Sequence, residues 1–399
     1  MKVLVVNAGS SSVKCSLVDT DSARTLSNSI VERIGIPGTR LKAVAADGRR
    51  EERECPRASS AGPALEEIAR ALTSGPAAVL ADLGEIEAVG HRVVQGGPQF
   101  TKTVVIDERA KAAIRELCPL APLHNPANLA GIEAAERLLP GRPQAAVFDT
   151  AFHATIPPKA HLYGLPLAFA SARRLRRYGF HGTSHRYVSE RCREMLGRER
   201  ARRLVTAHIG NGVSLTAVLD GRSVDTTMGF TPLEGVVMGT RSGSVDPALV
   251  LFLVEGGMAP KDVDRLLNKE SGLLGMAGIG SGDLRDVLAA RDKGNESAAT
   301  AFDVYVYRIA VAVGALAVAL GGLDALAFTA GAGENSPPLR AAVASYLAHL
   351  GVELDPAKND SASGDCDISA PEARCRTLVV RTQEDLLIAR ETARAVSAR

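Results

Sequence analysis

The chain has 399 residues, 46% of them hydrophobic and 23% charged, with 38 glycines and no tryptophan. Its 47 basic and 45 acidic residues leave a net charge of +2, which gives no footing for a nucleic-acid backbone or an anionic membrane surface. A chain of this length exceeds one compact core, so two domains are expected.

Residues 2–6 form a short apolar run of strand type, 7–12 (NAGSSS) a tight polar turn, and 13–18 a second strand. The hairpin tip shows backbone N–H groups, three hydroxyls and one amide, with Lys14 just past it. That set suits a phosphate, and it equally describes an ordinary hairpin. It is no Walker A loop, because neither G-x-x-x-x-G-K-[ST] nor a following helix is there. Residues 21–57 are mixed and polar, predicted as further strands and loops. Helices are predicted over 64–73, 107–117 and 129–139, with a proline-rich irregular segment at 118–128 (CPLAPLHNPAN). Strands are predicted over 86–94, ending in Gln95-Gly96-Gly97-Pro98, and over 144–148, ending at Asp149. Two prolines at 157 and 158 mark the expected domain boundary.

A helical hairpin is expected over 159–177, followed by 178–185 (YGFHGTSH), where Ser184 reads as the N-cap of a helix reaching about residue 196. Residues 203–228 read as three strands separated by Gly210-Asn211-Gly212 and Asp220-Gly221. Helices are predicted over 247–255 and 261–269, then a flexible glycine-rich loop over 272–282 leading to Asp283-Leu284-Arg285. A long helix spans 297–320. Its apolar run falls short of the roughly 18 residues that cross a bilayer, so it reads as a buried helix. A buried strand, 325–329, enters Ala330-Gly331-Ala332-Gly333-Glu334-Asn335 and a helix opened by Ser336-Pro337. A close backbone and a helix N-terminus there favour a nucleotide phosphate. The last strand is expected over 377–381, and 382–385 opens the last helix like a capping box with a short acid.

The first meander recurs in the second half. At one constant offset Gly9 falls on Gly210, Val18 on Leu219 and Asp19 on Asp220, while Asn7 lands on His208 and Ser10 on Asn211. With a domain boundary between the copies, this points to a duplicated α/β unit. The six cysteines are scattered without a C-x-x-C pair, as in a reduced intracellular compartment. No charged segment with a long apolar run opens the chain, so no secretory signal is expected.

Polar turns at the ends of apolar strands now stand out around Asn7, Asn211, Gly331 and Glu384. NAGSSSVK (7–14), HRVVQGG (91–97), FDTAFH (148–153), YGFHGTSH (178–185), AHIGNG (207–212), DTTMGFTPLEGVVMGTRSGSVDP (225–247), GAGEN (331–335) and RTQED (381–385) resemble the acetate kinase family over the whole chain, in order and spacing. The resemblance implies two duplicated ribonuclease-H-like α/β domains, of the actin-like ATPase kind, around a nucleotide cleft. It implies a domain of residues 1–150, with the C-terminal helix 383–399 packing back on it, and a second domain of 151–382 carrying nucleotide and dimer contacts. It further implies reversible transfer of the γ-phosphoryl group of ATP to acetate with Mg2+ or Mn2+, in a cytoplasmic homodimer.

Residue by residue, the resemblance assigns Asn7 and Glu384 to the metal. It assigns Ser10, Ser12 and Lys14 to the phosphates. His208, Ile209, Gly210, Asn211 and Gly212, Asp283, Leu284 and Arg285, and Gly331, Ala332, Gly333, Glu334 and Asn335 become the ATP contacts. Arg92 and Arg241 hold the acetate carboxylate and the transferring phosphoryl group, His181 donates to the transition state, and Val94, Leu123, Phe180 and Pro232 form the methyl pocket. Asp149 is a catalytic residue in the family pattern. An acetate carboxylate is already ionised at neutral pH and needs no base, so orienting Mg2+ or its water shell is the better work for Asp149. The chemistry then rests on in-line positioning and on cations, since one anion must approach another. Kinases for propionate or butyrate share the pattern, and an actin- or Hsp70-like ATPase shares the nucleotide cleft. Gln95 and Pro98 depart from the family, which has histidine and an acid there; acetate binding beside Arg92 is the property this touches.

Overall fold

The run KVLVVNA has apolar side chains on both faces, which suits a strand covered from both sides. In the computed structural model, which describes residues 1–398, it forms β1 (Lys2–Ala8). The chain divides into two units, Met1–Phe152 with the C-terminal segment from Gln383, and His153–Thr382. In the first unit β1 is joined by β2 (Ser12–Asp19), β3 (Arg24–Glu32), β4 (Arg40–Ala45), β5 (Arg50–Glu54), β6 (Ala88–Val93), β7 (Val104–Val105) and β8 (Gln144–Phe148). The sheet order is β5-β4-β3-β2-β1-β6-β8-β7. The meander β1 to β5 is antiparallel, whereas β1, β6 and β8 run parallel, so their C-terminal ends lie side by side.

Helices α1 (Ala61–Thr73) and α2 (Asn125–Leu138) cover one face. Leu65, Ile68 and Leu72 of α1 pack there with Val13, Leu17, Val31 and Leu41. The C-terminal helix Glu384–Ser397 packs on β1, β6 and β8 from the other face. Gly90 makes that close approach possible, since a Cβ there would sit 3.0 Å from the Ile388 side chain.

The second unit holds β9 (Arg203–Ile209), β10 (Val213–Leu219), β11 (Arg222–Thr226), β12 (Ala325–Thr329), β13 (Cys366–Asp367) and β14 (Arg376–Val379). Their order is β11-β10-β9-β12-β14-β13, with β9, β12 and β14 parallel. The repeat is visible strand for strand. Asn7 faces Lys14 across β1 and β2, and His208, its counterpart, faces Ser214 across β9 and β10, a register one residue shorter. These are two α/β units with mixed sheets of the duplicated ribonuclease-H-like kind. The helices α3 (Gly182–Leu196) and α4 (Glu296–Leu320) pack on the second sheet, and α5 (Pro337–Ser345) packs against α4. By length and composition α4 could cross a membrane. Its Phe302, Val306, Ile309, Val313, Leu316 and Leu320 are buried at helical spacing, the stripe of a core helix.

Several local expectations are corrected. Residues 272–282 are not wholly loop: Gly272–Ala277 is helical, because Leu273 and Ala277 are buried and the amides of Leu273 and Leu274 donate to the carbonyls of Met238 and Gly239. The N-cap of α3 is His181, in the left-handed region at φ 55°, and not Ser184, which lies in the first turn. Gln383 begins the last helix without a side-chain cap, so the capping box is absent. The GAGEN turn is a short helix, Ala330–Asn335, and 159–177 holds only the short helices Pro158–His161 and Leu167–Ala172. The proline-rich segment is partly the start of α2, opened by Asn125-Pro126.

His91, beside the site on β6, is buried against Gln144, its Nε2 2.6 Å from Oε1. Burial pushes its pKa down to about 4, against an ordinary 6.5. As pH falls, the unfolded chain takes up this proton first. The stability from neutral His91 is therefore complete above about pH 6.5 and lost between there and pH 4, about 3 kcal/mol in all. His91→Gln is expected to remove that part of the acid sensitivity. Urea unfolding at pH 7 and pH 4.5 measures it, and an equal loss in both proteins would contradict it.

Candidate active site

In the first unit the site residues gather at the C-terminal ends of the parallel strands, the usual ligand edge of an α/β sheet. Val6 of β1 pairs with His91 of β6, and Val93 of β6 with Phe148 of β8. Asn7, Arg92, Val94 and Asp149 thus follow one another across the sheet edge. Arg92 Nε donates to Asp149 Oδ1 at 2.9 Å and Nη2 to Oδ2 at 2.6 Å. Asp149 is 1% exposed. Burial works against the charge on Arg92, but Asp149 and then Glu384 override it and raise its pKa above the ordinary arginine value. The planar fork is held rigid by one carboxylate. Because both oxygens of Asp149 face Arg92, orienting Arg92 is the first thing this carboxylate does.

The turn after β6 is held by two amides of α2. Asn128 accepts from Val94 N at 3.0 Å and donates to Ala8 O at 2.8 Å, tying the ends of β6 and β1 together. Asn125 accepts from Gln95 N at 3.0 Å and donates to Gln95 O at 2.9 Å. Gln95 is fully buried, and its Oε1 accepts from Gly97 N at 2.9 Å. The departure at Gln95 is thus spent on shaping its own turn. Gly9 N donates to Ser12 O at 2.8 Å and closes the first hairpin, with Ser10 and Lys14 exposed and Ser12 half-buried. Glu384 and Asp385 open the C-terminal helix, and Ser16 Oγ donates to Asp385 Oδ2 at 2.5 Å. Burial raises the Asp385 carboxyl, Ser16 opposes this, and Glu384 adds to it. Leu123 is 59% exposed.

In the second unit the centre is the turn Gly210-Asn211-Gly212 between β9 and β10, closed by Gly210 N donating to Gly212 O at 3.1 Å. A Cβ at Gly212 would lie 3.4 Å from both His181 Nε2 and Arg241 Nη1. The glycine therefore leaves open the space where an imidazole and a guanidinium converge. The His181 ring stacks on His208 at 4.2 Å, and its Nδ1 lies 2.9 Å from Ser214 Oγ. Arg241 Nη1 donates to Pro232 O at 3.0 Å, and burial lowers its pKa without a carboxylate to oppose it. Phe180 is buried and Pro232 half-buried. The loop carrying Arg241 is pinned by Arg177, whose Nη1 donates to the carbonyls of Thr226, Thr227 and Met228 at 2.6, 3.0 and 3.2 Å, and whose Nη2 pairs with Glu234 at 2.7 Å.

A cavity of about 690 Å³ opens beside that turn. Gly210, Asn211, Asp283, Leu284, Arg285, Gly331, Ala332 and Asn335 all line it. Asp283 and Arg285 form an exposed bidentate pair at 3.0 and 2.6 Å. Ile209 is fully buried and Gly333 nearly so. Glu334 Oε1 accepts from Ala330 N at 2.8 Å and Thr382 N at 3.0 Å, so it holds the loop's own backbone. These three shape the wall without lining it.

The acetokinase family model matches residues 2–390. The chain belongs to the acetokinase family. It is 51% identical to the acetate kinase of Thermotoga maritima over 397 residues, 98% of each chain. Among solved structures it is similar to Porphyromonas gingivalis acetate kinase, with a TM-score of 0.93 and 43% identity over 99% of each chain. It is also similar to a propionate kinase from Francisella tularensis, with a TM-score of 0.92 and 37% identity over 98% of this chain and 99% of that one.

Beyond the motifs, these turns and side chains are braced by residues with little signal in sequence: Asn125 and Asn128, Arg177, Ser214 and Arg340. The two asparagines could have been found by their spacing in a helix's first turn. Arg340 in α5 could not, for nothing in sequence says that it is wholly buried. It donates from Nη1 to the carbonyls of Gly333 and Glu334 at 3.0 and 2.9 Å, and from Nε and Nη2 to Asn359 at 2.8 Å each. Arg340→Met is expected to cost about 2–4 kcal/mol by orphaning these acceptors. Hydrogen exchange at residues 331–336 should accelerate with it; unchanged exchange would show that the loop holds itself.

Proposed function

We propose that this chain transfers the γ-phosphoryl group of ATP to acetate, reversibly, giving acetyl phosphate and ADP by direct in-line displacement. The observation that carries this reading is the convergence of His181 Nε2 and Arg241 Nη1 over Gly212, beside the 690 Å³ cavity. An ionised carboxylate attacks without a base, so what the reaction needs is cations and donors around the phosphoryl oxygens. His181 and Arg241 serve as those donors. Arg92, braced by Asp149, holds the acetate carboxylate, and Val94, Leu123, Phe180 and Pro232 take its methyl group. ATP occupies the cavity, with its phosphates toward His208, Gly210 and Gly212, while Ser10, Ser12 and Lys14 supply further donors from the first hairpin.

Among the described residues no three His, Cys, Asp or Glu side chains converge as a metal cage. Mg2+ needs none, since it keeps several waters and takes few protein oxygens. Asn7 and Glu384 fit it: both offer oxygen, and Glu384 is half-buried where Arg92 and Asp385 feel its charge. Bound there, Mg2+ or Mn2+ would neutralise charge on the phosphates. Asp149, after bracing Arg92, has lone pairs left for the ion's water shell.

The likeness to a propionate kinase favours a second acid. One extra methylene changes binding by about 1–3 kcal/mol, so propionate and butyrate are slower substrates and are not excluded. The helix Pro247–Glu255 has no buried residue and exposes Leu249, Leu251 and Phe252, which supports a homodimer. All six cysteines are free, in keeping with the cytoplasm.

Hydroxylamine trapping with ATP, Mg2+ and acetate should give acetohydroxamate. No hydroxamate from acetate, propionate or butyrate would end this reading. Arg241→Ala should lower kcat on the order of 100-fold or more, with the urea midpoint little changed. Gly212→Ala should lower kcat roughly tenfold or more by filling the space between the two donors. Turnover near wild type in both variants would remove His181 and Arg241 from the transition state.

A further inference from the structure

His181 can donate to a phosphoryl oxygen from Nε2 only when that nitrogen carries a proton. Which ring nitrogen is protonated depends on what the other one meets. His181 Nδ1 lies 2.9 Å from Ser214 Oγ, and Ser214 Oγ lies 2.7 Å from His185 Nε2. His185 Nδ1 in turn lies 2.7 Å from Thr206 Oγ1. Thr206, His185 and Ser214 are each 0% exposed. Its two imidazoles stand at the start of α3 and its two hydroxyls on the adjacent strands β10 and β9.

We infer that Thr206, His185 and Ser214 form a one-way relay of hydrogen bonds that keeps the ring proton of His181 on Nε2, making Ser214 and Thr206 positioning residues for the phosphoryl donor. The direction follows from counting protons. The sole side-chain partner of the Thr206 hydroxyl among the described residues is His185 Nδ1. If His185 donated to Thr206, the hydroxyl proton of Thr206 would be buried with no acceptor, which costs the full desolvation of that group. Thr206 therefore donates. His185, held neutral by burial and by its neighbours His153 and His208, then carries its single proton on Nε2 and donates it to Ser214. Ser214 has one proton of its own, and the acceptor left for it is His181 Nδ1. A neutral His181 must then hold its proton on Nε2, the nitrogen beside Arg241 Nη1 and the open space at Gly212. The relay moves no proton during the reaction; it sets a tautomer beforehand. Stacking on His208 holds the plane of the ring.

This inference rests on the phosphoryl-transfer reading, and its test has a readout that does not. In protein labelled with ¹⁵N-histidine, with His181→Gln used to assign the His181 signals, long-range ¹H–¹⁵N spectra at pH 7.5 should show the Nε2–H tautomer. Ser214→Ala and Thr206→Val should each shift His181 toward a mixture, and Thr206→Ser should restore the wild-type pattern. In kinetics, Ser214→Ala and Thr206→Val should lower kcat by roughly 10- to 100-fold, with KM for ATP and acetate within about threefold and unfolding midpoints showing intact folds. Thr206→Ser should recover most of the rate. An Nδ1–H tautomer in the wild type, or one unchanged in both disruptive variants, overturns the relay. So does a kcat within twofold of wild type in both. A wild type that makes no acyl phosphate but shows the Nε2–H pattern and its loss defeats the reaction and leaves the relay standing.

Discussion

A bare glycine sets the central geometry of this protein. At Gly212 the hairpin between β9 and β10 has no side chain, and His181 Nε2 and Arg241 Nη1 come to within 3.4 Å of where one would begin. Any larger residue would crowd the imidazole and the guanidinium and fill the space between them. Everything else around the turn fixes what surrounds that space. β10 brings Ser214 under His181, Arg177 pins the loop that carries Arg241, and the helix Gly272–Ala277 bonds to the backbone just before it.

Buried polar side chains in both units are spent mainly on main-chain groups of loops. Arg340 binds the carbonyls of Gly333 and Glu334, Arg177 those of residues 226–228, Asn128 the carbonyl of Ala8 and the amide of Val94, and Glu334 the amides of Ala330 and Thr382. A loop made of glycines has high conformational entropy and few side chains with which to hold itself. Buried partners with fixed geometry restore order without placing bulk where a ligand must come close. The Arg92–Asp149 pair works in the same way on a side chain: a carboxylate that is 1% exposed turns a flexible arginine into a rigid fork.

The duplication gives the two sheets the same three-strand meander, yet their equivalent positions have diverged in chemistry. Asn7 and Lys14 face each other on β1 and β2, an oxygen donor beside a cation. His208, at the position of Asn7, faces Ser214 on β10, one residue out of the first copy's register, and both contact the His181 imidazole. One backbone plan thus sets an amide opposite an ammonium in one copy and an imidazole opposite a hydroxyl in the other.

Much of this was legible in the sequence. Apolar runs before glycine turns placed β1, β2, β8, β9, β10 and β12 nearly to the residue, because strand period and turn chemistry are local properties. The repeat at one constant offset declared the duplication, and the motif blocks declared the acetokinase family. What the chain alone left undecided depended on distant partners. The glycines of 272–277 read as loop until buried Leu273 and the carbonyls of residues 238 and 239 made them helical. Ser184 and Thr382 read as helix caps, whereas tertiary contacts gave the hydroxyl of Ser184 to His208 and that of Thr382 to Ser184. Nothing in the sequence marks Arg340 as buried. Burial, and which of two nitrogens a hydroxyl faces, are set by residues far away in the chain, so only the packed structure could decide them.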